Sequence, residues 1–406
     1  VVFILTISLL ILWAILGGVY GATETWQIVM QNASSIQCYM SDTLLMRQQA
    51  ITYANYSQAV GEMRSINAGI LRMLKGIGLE RRARLATLAV KGDIEVDAEG
   101  SRSMPKDWFD RVCEPVATAT GSLFALIVYA AGITTWLGFG HHLGWSPVWQ
   151  LYINTAVAIE LTFTSMFLTN VRQRDAVSLH RTMDTVRVMS CDVERILRNE
   201  TGDQQPNEPW PIIPLRATKI EQKIDWLSIG RKMGWNANWW LIIGTYTGLV
   251  GFIDGFVLRN VYLRQGQVVG DHLESLTSSD EEILALLSIR TSSSQEHIQE
   301  TAQKNRKPLS LRISNWISGK CALPSAVILS IIIVLVVIGV ASGMRWSLTG
   351  QLIANSPMMI VEGFLLLVLF QAHNSVNAER KMEFSLAVQR RRKMLGAVVE
   401  LAKDNK

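Results

Sequence analysis

Three acidic side chains stand out because they lie inside apolar runs. They are Glu160 in WQLYINTAVAIELTFTSMFLTN, Asp254 in WWLIIGTYTGLVGFIDGFVL and Glu362 in GQLIANSPMMIVEGFLLLVLF. An Asp at the centre of a membrane helix costs about 2.5–3.5 kcal/mol on insertion scales, so such groups are functional candidates by default. Carboxylates suit a hard or borderline divalent cation, and amide carbonyls can add neutral oxygen ligands. Amides recur at one spacing: Gln27 and Gln31, Gln150 and Asn154, Gln351 and Asn355. A separation of four puts both members of each pair on one helix face. The competing reading makes the acids protonated, hydrogen-bonded groups between helices and the amides interhelical glue. His141 and His142, adjacent in a short turn, have the chemistry to capture a transition metal before entry, although plain exposure is the commoner meaning of turn histidines. Cys38 and Asp42 fall near the inner half of one span, and Gln371 and His373 near the inner end of another. Helix-end polarity accounts for those four, with exit lining as the alternative.

Positioning these residues requires helices that cross a bilayer. The chain is 49% hydrophobic and only 18% charged, a membrane-class balance. Spans of about 20 apolar residues are expected at Val1–Tyr20, Trp26–Met46, Ala117–Gly140, Val148–Asn170, Trp239–Leu258, Ala326–Met344 and Gln351–His373. The division is a first hairpin at 1–46, whose opening inside an apolar run reads as a truncated true span rather than a signal peptide. A loop at 47–116, a second hairpin at 117–170 and a loop at 171–238 follow. A Gly-rich membrane segment at 239–258, a loop at 259–325, a last hairpin at 326–373 and a tail at 374–406 complete it. Arg and Lys flank the long stretches, whereas GVYGATET and GHHLGWSPV contain neither, so the positive-inside rule assigns the loops and tail to the cytoplasm. One span at 239–258 would leave basic flanks on both sides, which points to a broken or re-entrant helix pair at Gly244, Gly248, Gly251 and Gly255, or to a further span near Trp210–Leu215. Thr277–Lys307 reads as a solvated linker with one helix around Asp280–Ser288.

The hairpins read as repeats. WQIVMQNASSIQ, WQLYINTAVAIE and GQLIANSPMMIVE each follow a short turn, and amphipathic preludes, DWFDRV, KIDWLSI and RISNWIS, precede the later units. Their Trp and basic residues suit a membrane interface. The expected fold is therefore all-α: a polytopic membrane protein of repeated transmembrane helical hairpins with cytoplasmic loops.

Other chemistries find no support. There is no G-x-x-x-x-G-K-[ST] loop for nucleotide, no H-E-x-x-H, and six histidines cannot furnish a membrane di-iron oxidase. Four cysteines without a C-x-x-C pair indicate neither a zinc knuckle nor a disulfide framework. The net charge of +5 is spread over loop flanks rather than one basic stripe, so nucleic acid is not an expected partner.

WQLYINTAVAIELTFTSMFLTNVRQRDAVSLH resembles the repeat core of the low-affinity iron permease family, and WAILGGVYGATETWQIVMQNASSIQCYMSDTLLMRQQ, WWLIIGTYTGLVGFIDGFVLRNVYLR and ASGMRWSLTGQLIANSPMMIVEGFLLLVLFQAHN look like its fungal members. The resemblance implies uptake of ferrous iron at the plasma membrane, with zinc, copper and manganese as further cargoes, no resident cofactor and no ATP hydrolysis by the chain. It implies no secure ligand set, so the residues above remain the candidates. The lipid bilayer and the transported ions are the expected partners, and the sequence sets no oligomeric state. A membrane sensor, with structural intramembrane acids and partner-binding loops, is the second reading; a membrane-embedded enzyme lacks a nucleophile or metal cluster.

Overall fold

A computed structural model of the chain describes residues 2–21, 23–77, 108–209, 231–232, 234, 237–287, 309–321 and 323–404. Among them there is no strand, and the helices are α1 (Val2–Tyr20), α2 (Glu24–Gly76), α3 (Trp108–Thr120), α4 (Leu123–Gly140), α5 (Pro147–Thr201), α6 (Ala237–Leu286), α7 (Leu309–Cys321), α8 (Pro324–Gly343) and α9 (Leu348–Asp404). Five of these, α4, α5, α6, α8 and α9, have the length and apolar composition to cross a membrane.

Short apolar helices alternate with long ones because of what happens at the turns. The long helices α2, α5 and α9 begin on side-chain caps: Thr23 accepts from the Trp26 N–H, Ser146 from Trp149 and Ser347 from Gly350. Before α5 and α9 the chain reverses through left-handed residues, Gly144 and Trp145 in one turn and Arg345 and Trp346 in the other. Paired tryptophans fasten the turn end, with Trp13 stacked on Trp26 at 4.1 Å and Trp136 on Trp149 at 3.9 Å. Each indole N–H of the second pair donates to the other residue's carbonyl.

The long helices α2, α5, α6 and α9, with 53, 55, 50 and 57 residues, form a four-helix bundle in which α2 neighbours α5 and α6, and α9 neighbours the same two. At 1.5 Å per residue each runs about 75–85 Å, far beyond a hydrocarbon core of about 30 Å. The excess is the polar half of the chain, and it is held by apolar residues every three or four positions facing the bundle axis. Most of what the sequence presents as loop is therefore helix: α2 continues to Gly76, α5 to Thr201, and α9 through the tail to Asp404.

The four helices share one register. Gln49 meets Arg172 at a separation of 123 residues, Asn67 meets Asp280 at 213, and Asp280 meets Arg391 at a further 111. Counting in that register, Leu45, Leu168, Leu258 and Leu369 form one apolar layer. Farther along, Val60, Met183, Leu273 and Phe384 form another, and Leu74, Leu197, Leu287 and Val398 close the far end. Between the last two lies a buried polar layer of Asn67, Ser190, Asp280 and Arg391. Arg391 and Asn67 both donate to Asp280 Oδ1, at 2.6 and 2.8 Å, and all three side chains are buried. A buried ion pair contributes little net stability against desolvation, and its best-attested role is fixing register.

Two expectations need correction. The Gly-rich segment is not broken or re-entrant, because α6 is one continuous helix in the same register as α2, α5 and α9. Its glycines serve close approach instead: a Cβ at Gly248 would lie 2.5 Å from Asn355 Oδ1, one at Gly251 2.6 Å from Glu362 Oε1, and one at Gly244 would collide with Asn32. Thr277–Leu286 belongs to α6 rather than to a linker, whereas 288–308, the Trp210–Leu215 stretch and the KIDWLSI prelude lie outside the described residues. The other two preludes fall in α3 and α7, which pack on α9 together with α5 and α6 respectively.

Candidate functional site

The bundle axis through the apolar half is a sequence of layers set by the shared register. At the turn end Ile28, Leu151 and Leu352 meet in one apolar cluster. One helical turn inward, Gln31 and Asn32 of α2, Asn154 of α5 and Asn355 of α9 are all buried, and α6 contributes Gly244 against the Asn32 side chain. Gln31 reaches across the axis to Met359, with its Nε2 3.7 Å from the sulfur. The Oε1 of Gln31 and the Oδ1 atoms of Asn32, Asn154 and Asn355 have no hydrogen-bond partner. Buried carbonyls are almost always satisfied in folded proteins, so four orphans in one layer call for an explanation.

Of each amide pair, the second member joins this layer. The first sits at the helix start, where Gln351 Nε2 donates 2.7 Å to the Trp346 carbonyl and Gln27 and Gln150 hold the same register position. The orphan oxygens of Gln150 and Gln351 lie just above the apolar cluster.

Two turns deeper the register brings Cys38, Leu161, Gly251 and Glu362 together. A cavity of about 10 Å³ is lined by Cys38, Asp42, Leu161, Gly255 and Glu362. Glu362 is 7% and Asp42 5% exposed, and both point into the bundle. Glu160 lies to one side, where Thr164 donates to its Oε1 at 2.9 Å and its Oε2 is 2.7 Å from where a Cβ on Gly363 would stand. Tyr129 of α4 covers that flank and donates to the Ile360 carbonyl at 2.8 Å. Asp254, half-buried on α6, acts electrostatically on Asp42, and Asp42, Asp254 and Glu160 all act on Glu362. No Lys, Arg or His forms an ion pair with any of these four acids among the described residues. Four acids without a basic partner in one membrane bundle are costly as carboxylates unless protons or a mobile cation neutralise them. No three His, Cys, Asp or Glu side chains among the described residues are close enough to form a ready metal cluster.

The comparisons with known proteins decide the lineage. The family described as low affinity iron permease matches at residues 109–204 and 310–404. The low-affinity iron/zinc ion transport protein of Schizosaccharomyces pombe is 42% identical over 99% of this chain and 71% of its own length. The low-affinity Fe(2+) transport protein of Saccharomyces cerevisiae is 34% identical over 98% of this chain and 80% of its own. The chain belongs to the low-affinity iron permease family. It is a multi-pass permease and not an enzyme. No solved structure matches it.

Within this permease the structure gathers some sequence candidates and separates others. Glu362, Gln31, Asn154 and Asn355 converge on the axis, Glu160 and Asp254 flank it, and Gln27, Gln150 and Gln351 stay at the helix starts. His141 and His142 are exposed in the α4–α5 turn, rings 6.2 Å apart, and neither forms an ion pair with a carboxylate among the described residues. Asp42 and Cys38 are the residues that sequence reasoning underrated. Their spacing of four on one face of α2 was the available signal, whereas the register that sets Cys38 level with Glu362 and Asp42 one turn beyond is a property of the fold. His373 and Gln371 sit beyond the leucine layer, where His373 Nε2 is 3.2 Å from Asp175 Oδ2.

Proposed function

We propose that this permease carries ferrous iron and zinc down their gradients along the axis of the α2–α5–α9–α6 bundle, with Glu362 and Asp42 as the principal cation site. The four acids without a basic partner carry the proposal: a divalent ion between Glu362 and Asp42 removes the mutual repulsion that burial makes expensive. A cation would shed part of its hydration against the orphan carbonyls of Gln31, Asn32, Asn154 and Asn355 before reaching the acids. Neutral oxygens suit transit rather than capture. Cys38 beside the acids favours borderline metals such as ferrous iron and zinc, with copper and manganese as further candidate cargoes. Glu160 and Asp254 hold the surroundings negative. The basic flanks of the polar half support a cytoplasmic position for it under the positive-inside rule, and the proposed home is the plasma membrane.

Proteoliposomes loaded with a metal-sensitive dye test this without ATP. Ferrous iron and zinc should enter and compete with each other at micromolar or higher concentrations. Failure of both ions to enter, with the protein folded, would leave the sensor reading standing.

A further inference from the structure

The path that serves entry is shut on its other side by a feature unusual for a cation route. One turn beyond Leu45, Leu168, Leu258 and Leu369, the register sets Gln49, Arg172, Tyr262 and His373 around the axis, about 16 Å past Glu362 by helix rise. Arg172 is 7% exposed, donates from Nη2 to Gln49 Oε1 at 3.3 Å, and holds its guanidinium 5.2 Å from the Tyr262 ring centre. Its Nη1 has no partner. The acid that could neutralise it, Asp175 one turn along α5, is instead engaged by two residues of α9, His373 at 3.2 Å and Lys381 at 3.0 Å. Arg172, Asp175, Tyr262, His373 and Arg380 share a cavity of about 60 Å³ directly beyond the leucines. Arg380 adds a second positive charge there.

We infer that Arg172 is the electrostatic element of the permease's inner gate, a fixed positive charge behind the leucine layer that turns back divalent cations while α5 is fastened to α9 through Asp175. The leucines alone form a dewetted constriction, which a hydrated ion crosses poorly. The guanidinium behind them repels cations of any identity, and low local dielectric strengthens that repulsion. Opening then requires the guanidinium to leave the axis, and Asp175, three residues on along the same helix and lining the same cavity, is an acid it can meet once α9 releases it. This inference rests on the axial path described above.

The rival account makes Arg172 a structural tie between α5, Gln49 and Tyr262. Zinc flux into dye-loaded proteoliposomes, compared at equal reconstituted protein, separates the two. Arg172→Gln keeps a hydrogen-bonding group on a shorter side chain but removes the charge, and is expected to raise flux several-fold, while Arg172→Lys stays near wild type. Flux at or below wild type in a stably folded Arg172→Gln overturns the proposal. Arg172→Met gives the same reading should Arg172→Gln fail to fold. Instability of both neutral variants with Arg172→Lys stable assigns the residue to structure and equally overturns it. Glu362→Gln in the same assay keeps the failures apart: a lowered Glu362→Gln with an unchanged Arg172→Gln rejects the gate and leaves the path, whereas unchanged flux in both rejects the path.

Discussion

Gly251→Ala is the sharpest probe of how α6 serves the acid site. The new Cβ would stand 2.6 Å from Glu362 Oε1, 2.9 Å from its Cδ and 3.0 Å from Oε2, so the carboxylate must move by several tenths of an ångström within a packed interior. Overpacking of this kind costs about 1–3 kcal/mol, against which Ala gains about 1 kcal/mol of helix propensity over Gly. If 1–2 kcal/mol of that strain falls on the cation-bound state, apparent affinity weakens about 5–30-fold. Three glycines of the same helix calibrate the result. Gly255→Ala meets only the Leu365 side chain at 3.2 Å and should be milder, while Gly266 and Gly270 have nothing within 4 Å and should tolerate Ala with unchanged uptake and equal or higher stability. Iron and zinc uptake as a function of concentration, at matched surface expression, reads all four. Uptake by Gly251→Ala indistinguishable from Gly270→Ala would refute the claim that α6 presses on Glu362.

Three further outcomes follow from the same packing. Arg391→Met leaves Asp280 with only the Asn67 hydrogen bond and the longer Arg390 contact at 3.4 Å, and should cost about 1.5–3 kcal/mol, visible as a lowered melting temperature in detergent; a variant as stable as wild type would contradict the buried-layer account. Burial pushes the Asp175 carboxyl up, but the His373 hydrogen bond and charge and then Lys381 outweigh it and hold the folded-state value below the ordinary carboxylate range. Its contribution to stability is thus present above that range and lost as pH falls through the lowered value, so Asp175→Asn should melt below wild type at neutral pH and converge with it in acid. His141→Ala with His142→Ala should leave uptake unchanged, since both rings are exposed and apart from the amide layer; a clear drop in iron uptake would restore capture in the turn.

What the sequence made legible followed from contrast. Glu160, Asp254 and Glu362 are conspicuous because charge is rare in apolar runs, and the amides are conspicuous because their spacing recurs. Asp42 lacked that contrast: its span is rich in Ser, Asn and Gln, so a further polar residue reads as helix-end character. The glycines of α6 were misread for a physical reason, since Gly lowers helix propensity whether it breaks a helix or admits a neighbour. Their spacing of four, three and four residues places all of them on one face, which favours close approach. Polar composition likewise hid the helices beyond the membrane, although Ile66, Ile70 and Leu74 already follow a helical period. Which residues meet across the axis depends on the register between helices far apart in sequence, and no single segment contains it.

The central claim is that the buried acids on the axis hold the transported cation. Zinc and ferrous iron uptake by Glu362→Gln and Asp42→Asn, with Glu160→Gln alongside, measures it most directly in proteoliposomes of verified protein content. Both axial variants should lose most uptake, and Glu160→Gln should lose less. Wild-type flux in both axial variants would contradict the account.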